Sequence, residues 1–425
     1  MTGIIFLAIY VAIFAAAFFI VTKSIQGARA KDYTSLKTVT FGDESAVRPN
    51  RAAGIVSIFT IFLMWGIFTG SSWLPGFLHA PGPFEGTTSF TYTAEAVGGN
   101  RDDATVTILV HPREEQAENP VVEPGDGFAK NDAATVAQWR TVLVNVDRND
   151  EITKKDGANV IEINGQKIAP GGSVKIDGGV VNLSDKGTPN FEPEKGWQME
   201  SLYLPAPEEV WTRAIKVASE GFRGTSLGGH LGYSLFRVII GFLCGAVVGI
   251  PLGYAMGLSD WFRGWFDPIV EFMRPVPPLA LIPLVIIWAG IGETGKIILL
   301  FLAALWIMAI AARSGVSGVK ISKVHAAYSL GASKWQIMRH VIIPNSLPEI
   351  FTGARVAMGV CWGTVVAAEL VAAEQGAGMM IMTASKFQNT DIVIMGIILI
   401  GVIGFGIDML MRWAERILVP WKGKG

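Results

Sequence analysis

The stretch SLFRVIIGFLCGAVVGIPLGYAMG, residues 234–257, decides what kind of protein this is. Crossing a hydrocarbon core of about 30 Å takes about 20 apolar residues in an α-helix, and this stretch supplies them. Gly241, Gly245, Gly249, Gly253 and Gly257 recur at every fourth position. Residues four apart share one ridge of a helix, so a second helix can approach that ridge to backbone distance. Two roles stand: close packing in a bundle that slides its helices, or direct contact with a substrate. Six more windows, near 3–22, 53–70, 269–291, 297–313, 352–372 and 392–411, have the same character. The expected fold class is an all-α polytopic membrane bundle of about seven spans.

Composition agrees. Charged residues make up 17% of the 425, against roughly 25% in soluble proteins, and mean hydropathy is +0.41. A net charge of −1 argues against a nucleic-acid partner, which needs a basic face. Cys244 and Cys361 both lie in apolar segments without metal-ligand spacing. Both are expected to be small buried hydrophobes, with no disulfide and no metal. The five histidines, His79, His111, His230, His325 and His340, are scattered, and no catalytic grouping emerges.

The first window lacks a basic leading region, and its charges (Lys23, Arg29, Lys31) follow the apolar run. A signal peptide has the opposite order, so a true span with an external N-terminus is expected. Basic residues then gather in the 23–52 linker (Lys37, Arg48 and Arg51 besides those above), in 313–351 (Arg313, Lys320, Lys323, Lys334, Arg339) and in the tail (Arg412, Arg416, Lys422, Lys424). Positive loops stay in the cytosol, and seven spans put all three there, with the C-terminus. Residues 71–233 and the loops after 291 and 372 fall outside.

Residues 85–200 are polar and rich in Gly, Asp, Asn and Thr. Alternating runs at Ala104–Val110 and Thr141–Val146 read as strands. Asn164-Gly165 and Asp177-Gly178-Gly179 read as hairpin turns. A small extracytoplasmic β-domain is expected, its ends close together because both return to the membrane. The organisation is then 1–52, an N-terminal span and cytosolic linker; 53–84, a first core span; 85–200, the insertion; and 201–425, the core, carrying a cytosolic loop at 320–350.

That loop reads His325-Ala326-Ala327-Tyr328-Ser329-Leu330-Gly331-Ala332-Ser333-Lys334-Trp335 and continues to Val341-Ile342-Ile343-Pro344. A first short helix should break near Gly331, where a residue without Cβ can take φ > 0. A second should start at a capping Ser333 and stop before Pro344. Such a pair suits insertion into a partner's groove, and equally suits an amphipathic helix on the membrane surface.

The stretch resembles the EAA loop of binding-protein-dependent ABC importers: Glu-Ala-Ala, three residues, Gly, nine residues, an aliphatic, one residue, Leu-Pro. Ala326-Ala327, Gly331, Val341, Ile343 and Pro344 carry the match; His325 stands where the family usually has Glu, and Ile343 where it usually has Leu. The resemblance spans about 200–425 and is closest to the taurine, nitrate and sulfonate permeases. Tyr203–Val210, Glu271–Pro278, Trp288–Glu293, Ala367–Leu370 and Arg416–Trp421 carry it. It implies a type I importer permease fold, with an extra N-terminal span and the β-domain inserted, in a bacterial inner membrane. Implied partners are an ABC ATPase subunit, an extracytoplasmic substrate-binding protein, a second permease copy and membrane lipid. ATP and Mg²⁺ would be bound by the ATPase, leaving no cofactor in this chain and no enzyme activity of its own. The implied coupling residues are His325, Ala326, Ala327, Gly331, Ala332, Trp335 and Pro344. The implied cargo is a small anion or organosulfonate: taurine, nitrate or an alkanesulfonate. The same machinery for a vitamin precursor, and a membrane sensor or scaffold using the β-domain, are the alternatives.

Gly290-Ile291-Gly292-Glu293-Thr294-Gly295-Lys296 fits half of a P-loop, but Ile297 replaces the Mg²⁺-holding Ser or Thr and no βαβ unit surrounds it. It reads as a turn between spans. Glu369 sits in the apolar run 359–373, where an ionisable group must face the bundle interior or a water-filled path. It either lines the path or ties helices together. Glu271 and Arg274 flank the Pro275, Pro277 and Pro278 cluster. These prolines must break regular helix and free backbone carbonyls. The five residues Glu369, Arg274, Glu271, Pro275 and Pro277 form the candidate path or gate.

Overall fold

The structure is a computed structural model that describes residues 8, 11–20, 23, 51–113, 115 and 117–421. The linker 24–50 with Arg29, Lys31, Lys37 and Arg48, the ends of the 3–22 window, and Lys422 and Lys424 lie outside the described residues. Val11–Ile20 is helical (α1). The chain divides into two units, Met1–Glu208 and Glu209–Gly425.

In the first unit, α2 (Arg51–Thr69) leads into strands β1 (Gly86–Glu95), β2 (Arg101–His111), β3 (Asp132–Ala137), β4 (Val142–Leu143), β5 (Asn159–Ile163), β6 (Gln166–Lys167), β7 (Ser173–Ile176), β8 (Gly179–Leu183) and β9 (Pro189–Pro193). They form two sheets, ordered β3-β2-β1-β5-β6 and β4-β9-β8-β7. Period-2 alternation turns Phe90, Tyr92, Val106, Ile108 and Val110 of one sheet and Val174, Val181 and Phe191 of the other into one shared core. Asn164 and Gly165, at φ +50° and +71°, join β5 to β6 in the left-handed two-residue turn that Asn-Gly favours. Of the strand expected over 141–146, only Val142–Leu143 pairs; Val146 already belongs to a 3₁₀ turn. The entry and exit of the sandwich run side by side: Phe84 N–H donates to Glu194 O at 2.8 Å and Trp197 N–H to Pro81 O at 2.7 Å.

An acidic pocket inside the sandwich sets its pH response. Tyr92 Oη donates to Lys130 O at 3.2 Å and to Asp150 at 3.3 Å, while one oxygen of Asp132 is buried with no hydrogen-bond partner among the described residues. Burial and the neighbouring Asp150 charge push the Asp132 carboxyl up to about 7. The unfolded chain ionises it near the ordinary ~3.9. Between those values the folded state holds the extra proton, so stability is full below pH ~4 and declines as pH rises through about 7. We expect amide-exchange protection of β2 and β3, corrected for intrinsic rates, to fall on the order of a hundredfold from pH 5 to 8. Asp132→Asn should flatten that slope, and an unchanged slope would reject the assignment.

The second unit carries α3 (Pro207–Glu220, which begins at the boundary), α4 (Leu227–Leu258), α5 (Asp260–Met273), α6 (Ile282–Ala289), α7 (Glu293–Ser317), α8 (Ile321–Ser329), α9 (Lys334–Ile337), α10 (Ile343–Ala372), α11 (Ala377–Lys386) and α12 (Thr390–Leu418). Four of its helices (α4, α7, the run ending in α10, and α12) are long and apolar enough to cross a membrane. The 269–291 window, expected as one span, is a broken pair: α5 and the helical stretch Pro278–Ala289 meet at 93°. Pro275, Pro277 and Pro278 account for the break, since each lacks an N–H and clashes with the preceding turn.

The glycine ridge of α4 lies on α7. A Cβ on Gly245 would come within 2.6 Å of Ala304 Cβ, and one on Gly249 within 2.6 Å of Leu305 O. Gly241, Gly253 and Gly257 meet Leu300, Ala309 and Val316 in the same way. Without side chains between them, the two backbones gain dispersion contact that lipid cannot match. The other face of α4 leaves Phe236, Leu243 and Val247 exposed, as a lipid-facing surface requires. Cys361 is buried as expected, but Cys244 is exposed. Its window is apolar all round, and Cys244 sits one residue off the buried ridge.

Candidate functional site

Two places in the second unit concentrate polar chemistry. The first is a buried ion-pair cluster centred on Arg237. Its guanidinium makes a two-pronged contact with Glu293, Nε to Oε2 at 2.5 Å and the second amine to Oε1 at 2.7 Å. The remaining amine donates to Glu369 Oε1 at 2.5 Å and to the backbone carbonyl of Gln375 at 2.8 Å. Ser234 Oγ donates to Glu369 at 2.8 Å, and Gly378 N–H donates to its other oxygen at 3.0 Å. Lys296 Nζ reaches Glu293 at 3.0 Å. Two cations thus balance two carboxylates, and both charges of the Arg237–Glu369 pair are essentially inaccessible, at 1% and 0% exposure. Such a pair persists at low dielectric only because its hydrogen-bonding capacity is filled.

His230, one turn before Ser234, extends the cluster. Its Nδ1 accepts from Gly376 N–H at 3.2 Å. That acceptor role places the ring proton on Nε2, which donates to Phe222 O at 3.0 Å. The cluster therefore stitches together α4, the start of α7, the end of α10 and the turn into α11. Glu369 ties helices to one another. Glu293 and Lys296 of the P-loop-like stretch spend their charges here, and Lys296 is buried.

Glu271 and Arg274 fall elsewhere. Arg313 of α7 pairs with Asp267 and, at 3.0 Å, with Glu271 of α5. Arg274 is exposed and only 3.8 Å from Glu271. Glu293 and Arg313 are twenty residues apart on α7, about 30 Å at 1.5 Å per residue. The two charged clusters thus mark the ends of one bilayer-length helix, and Glu271 and Arg274 do not share a site with Glu369.

Arg237, Ser234 and His230 were not singled out from the sequence. A signal for Arg237 existed: it is the lone charge in the 234–257 window. The cost argument applied to Glu369 demands an opposite charge for it as well.

The second place is the α8–α9 loop. Ala332 N–H bonds to Ala327 O at 3.1 Å and Gly331 N–H to Tyr328 O at 3.0 Å. This is the paired closure of a Schellman motif, which needs a left-handed residue at its hinge. Gly331 supplies it at φ +80°. Ser333 and Gln336 then form a reciprocal capping box for α9. Tyr328, Leu330 and Trp335 stand exposed at 66%, 88% and 70%, and His325 and Ala326 are exposed beside them. The second helix does not stop before Pro344. It widens into a π-turn over Met338–Ile342 and runs on into α10, with Pro344 in that helix's first turn. Proline fits there because first-turn N–H groups have no helical acceptor, and the wide turn clears its ring. Lys323 Nζ to Asn345 Oδ1 at 2.7 Å and Trp421 Nε1 to Pro344 O at 3.0 Å fasten α8 and the C-terminus to the same junction.

Residues 245–419 match the family model described as the binding-protein-dependent transport system inner membrane component. The taurine transport system permease protein TauC of Escherichia coli (strain K12) is 46% identical over 224 residues, covering 52% of this chain and 82% of the relative. The chain belongs to this family. The putative aliphatic sulfonates transport permease protein SsuC of the same organism is 38% identical, covering 53% and 84%. The nitrate import permease protein NrtB of Synechococcus elongatus is 32% identical, covering 53% and 85%. Membership fixes a type I importer permease fold and a multi-pass place in the inner membrane. It makes the chain a transport component rather than an enzyme, working with an ATPase and a substrate-binding protein.

Proposed function

We propose that this permease forms, as a pair of identical subunits, the path by which a small sulfonate or related anion enters the cell. The exposed Schellman-capped loop around Gly331 carries this reading. Tyr328, Leu330 and Trp335 present a large apolar tip on a rigid backbone, which suits a groove on the ATPase better than open cytosol. ATP and Mg²⁺ belong to that ATPase. The sulfonate, taurine and nitrate permeases among the relatives support the cargo class. The basic loops support a cytosolic C-terminus, an external N-terminus and an extracytoplasmic sandwich.

The chain's own geometry suggests how force passes through it. Motion of α8 and α9 reaches α10 through the Lys323–Asn345 contact and the continuous π-turn. Along α10 the next fixed point is Glu369, 26 residues from Ile343, or about 39 Å at 1.5 Å per residue. A shift of the docked loop is therefore delivered by a stiff helix to the Arg237 cluster and to the turn at 373–376.

Uptake into proteoliposomes tests the reading. With the cognate ATPase, external binding protein and internal ATP, labelled taurine, ethanesulfonate and nitrate should be compared. We expect accumulation of at least one sulfonate that vanishes without ATP or without the binding protein. Accumulation that needs neither, or none of the three anions, would overturn it.

A further inference from the structure

We propose that the cavity beside the Arg237 cluster is a subsite for a short aminoalkanesulfonate, a zwitterion with a sulfonate at one end and an ammonium at the other. The proposal rests on the anion-import reading and narrows it. The cavity measures about 500 Å³, and Arg223, Glu374 and Lys386 line it together with Leu370, Met379 and Thr383. Glu369 also borders it, but Arg237 at 2.5 Å cancels that charge. Neither Arg223, Glu374 nor Lys386 enters an ion pair among the described residues. The cavity thus offers two uncommitted cations and one uncommitted carboxylate.

A second observation points to Arg223 independently. Phe222 and Thr225 exchange backbone hydrogen bonds at 2.8 and 3.1 Å, closing a tight turn whose central residues, Arg223 and Gly224, have φ of +49° and +77°. A turn with two left-handed residues favours Asn or Asp followed by Gly. Arginine there is held against its backbone preference, and such strain gathers at ligand-binding positions. The turn is also anchored. Phe222 O accepts from one nitrogen of His230, and Gly376 N–H donates to the other. One imidazole ring therefore sets the spacing between the turn bearing Arg223 and the loop bearing Glu374. The buried cluster pre-organises the walls of this cavity.

The chemistry selects the ligand. A sulfonate has three equivalent oxygens and stays ionised, so it can take a forked guanidinium contact and a lysine ammonium together. Thr383 Oγ1 now donates to the weak acceptor Met379 Sδ at 3.3 Å and can turn to a sulfonate oxygen at little cost. Leu370 and Met379 suit a short methylene linker. Glu374 remains for an ammonium. An unsubstituted alkanesulfonate leaves that carboxylate unmatched, and nitrate fills the cationic end alone.

Titration calorimetry on the purified permease–ATPase complex, without binding protein, tests this with taurine, ethanesulfonate and nitrate. We expect taurine to bind most tightly. Glu374→Gln should weaken taurine about tenfold and leave ethanesulfonate unchanged. Arg223→Asn, which relaxes the turn while removing the charge, and Lys386→Gln should weaken both sulfonates about tenfold or more. A complex that imports sulfonates yet binds none, or whose affinities ignore these substitutions, overturns the subsite alone. A loss of both sulfonates in Glu374→Gln overturns the ammonium assignment. A complex that imports none of the three anions overturns the reading beneath it.

Discussion

Replacing Arg237 by methionine will destabilise the helix bundle by about 3–5 kcal/mol, the usual cost of removing one partner from a buried ion pair, and will abolish uptake. Methionine fills much the same volume but leaves Glu369 at 0% side-chain exposure with no cation. Glu293, half exposed at 53% and still paired with Lys296, should tolerate the loss. The damage therefore traces to one carboxylate. Arg237→Lys should fail nearly as badly, since an ammonium cannot fork to Glu293 while reaching Glu369 and Gln375 O. A second change, Glu369→Leu in the Arg237→Met background, should recover much of the thermal stability but not the uptake, because the tie from Arg237 to Gln375 O stays lost. If the double variant melts as low as the single one, the unpaired Glu369 charge is not the cause.

Replacing Gly331 by valine will uncouple the transporter while leaving its spans intact. A Cβ at Gly331 meets nothing within 4 Å, so crowding is not the issue. The backbone is: φ of +80° is a true outlier for a β-branched residue. Leaving that region opens the Schellman closure and re-aims Leu330 and Ala332. Hydrolysis stimulated by the loaded binding protein should fall tenfold or more, with basal hydrolysis by the free ATPase unchanged. Gly331→Asn, which tolerates the left-handed region, should keep most of the stimulation. Equal loss in both variants would show that the tip needs a bare backbone rather than a conformation. Full stimulation in the valine variant would show that the loop does not couple.

Both devices differ in how far the sequence alone reveals them. The loop is local: Gly331, Ser333 and Gln336 lie within a few residues of one another, and capping chemistry is read directly from such spacing. The Asn164-Gly165 hairpin is legible for the same reason. The Arg237–Glu369 pair joins residues 132 apart in the chain. The cost of each charge in an apolar window is visible, but which charge meets which is a property of the packed bundle. Pro344 misled because a proline suits the start of a helix as well as the end of one, and only the π-turn decides between them. Cys244 and the bend after α5 are similar cases. A window apolar on every face does not say which face is buried, and a proline cluster announces a break without its angle. In the sandwich, alternation marks β2 as a strand. Its parallel pairing with β3 depends on how the chain crosses over between them, which no local pattern encodes.

The proposed coupling requires the loop around Gly331 to seat itself in a separate ATPase. A photocrosslinking residue at Leu330, 88% exposed at the loop tip, measures that contact most directly when the permease is assembled with its ATPase in membranes. We expect a covalent permease–ATPase product from Leu330 and from Trp335, and none from Val97, exposed on the sandwich. A complex that still imports its anion, yet gives no ATPase product from Leu330 or Trp335, would show that the loop does not dock the ATPase.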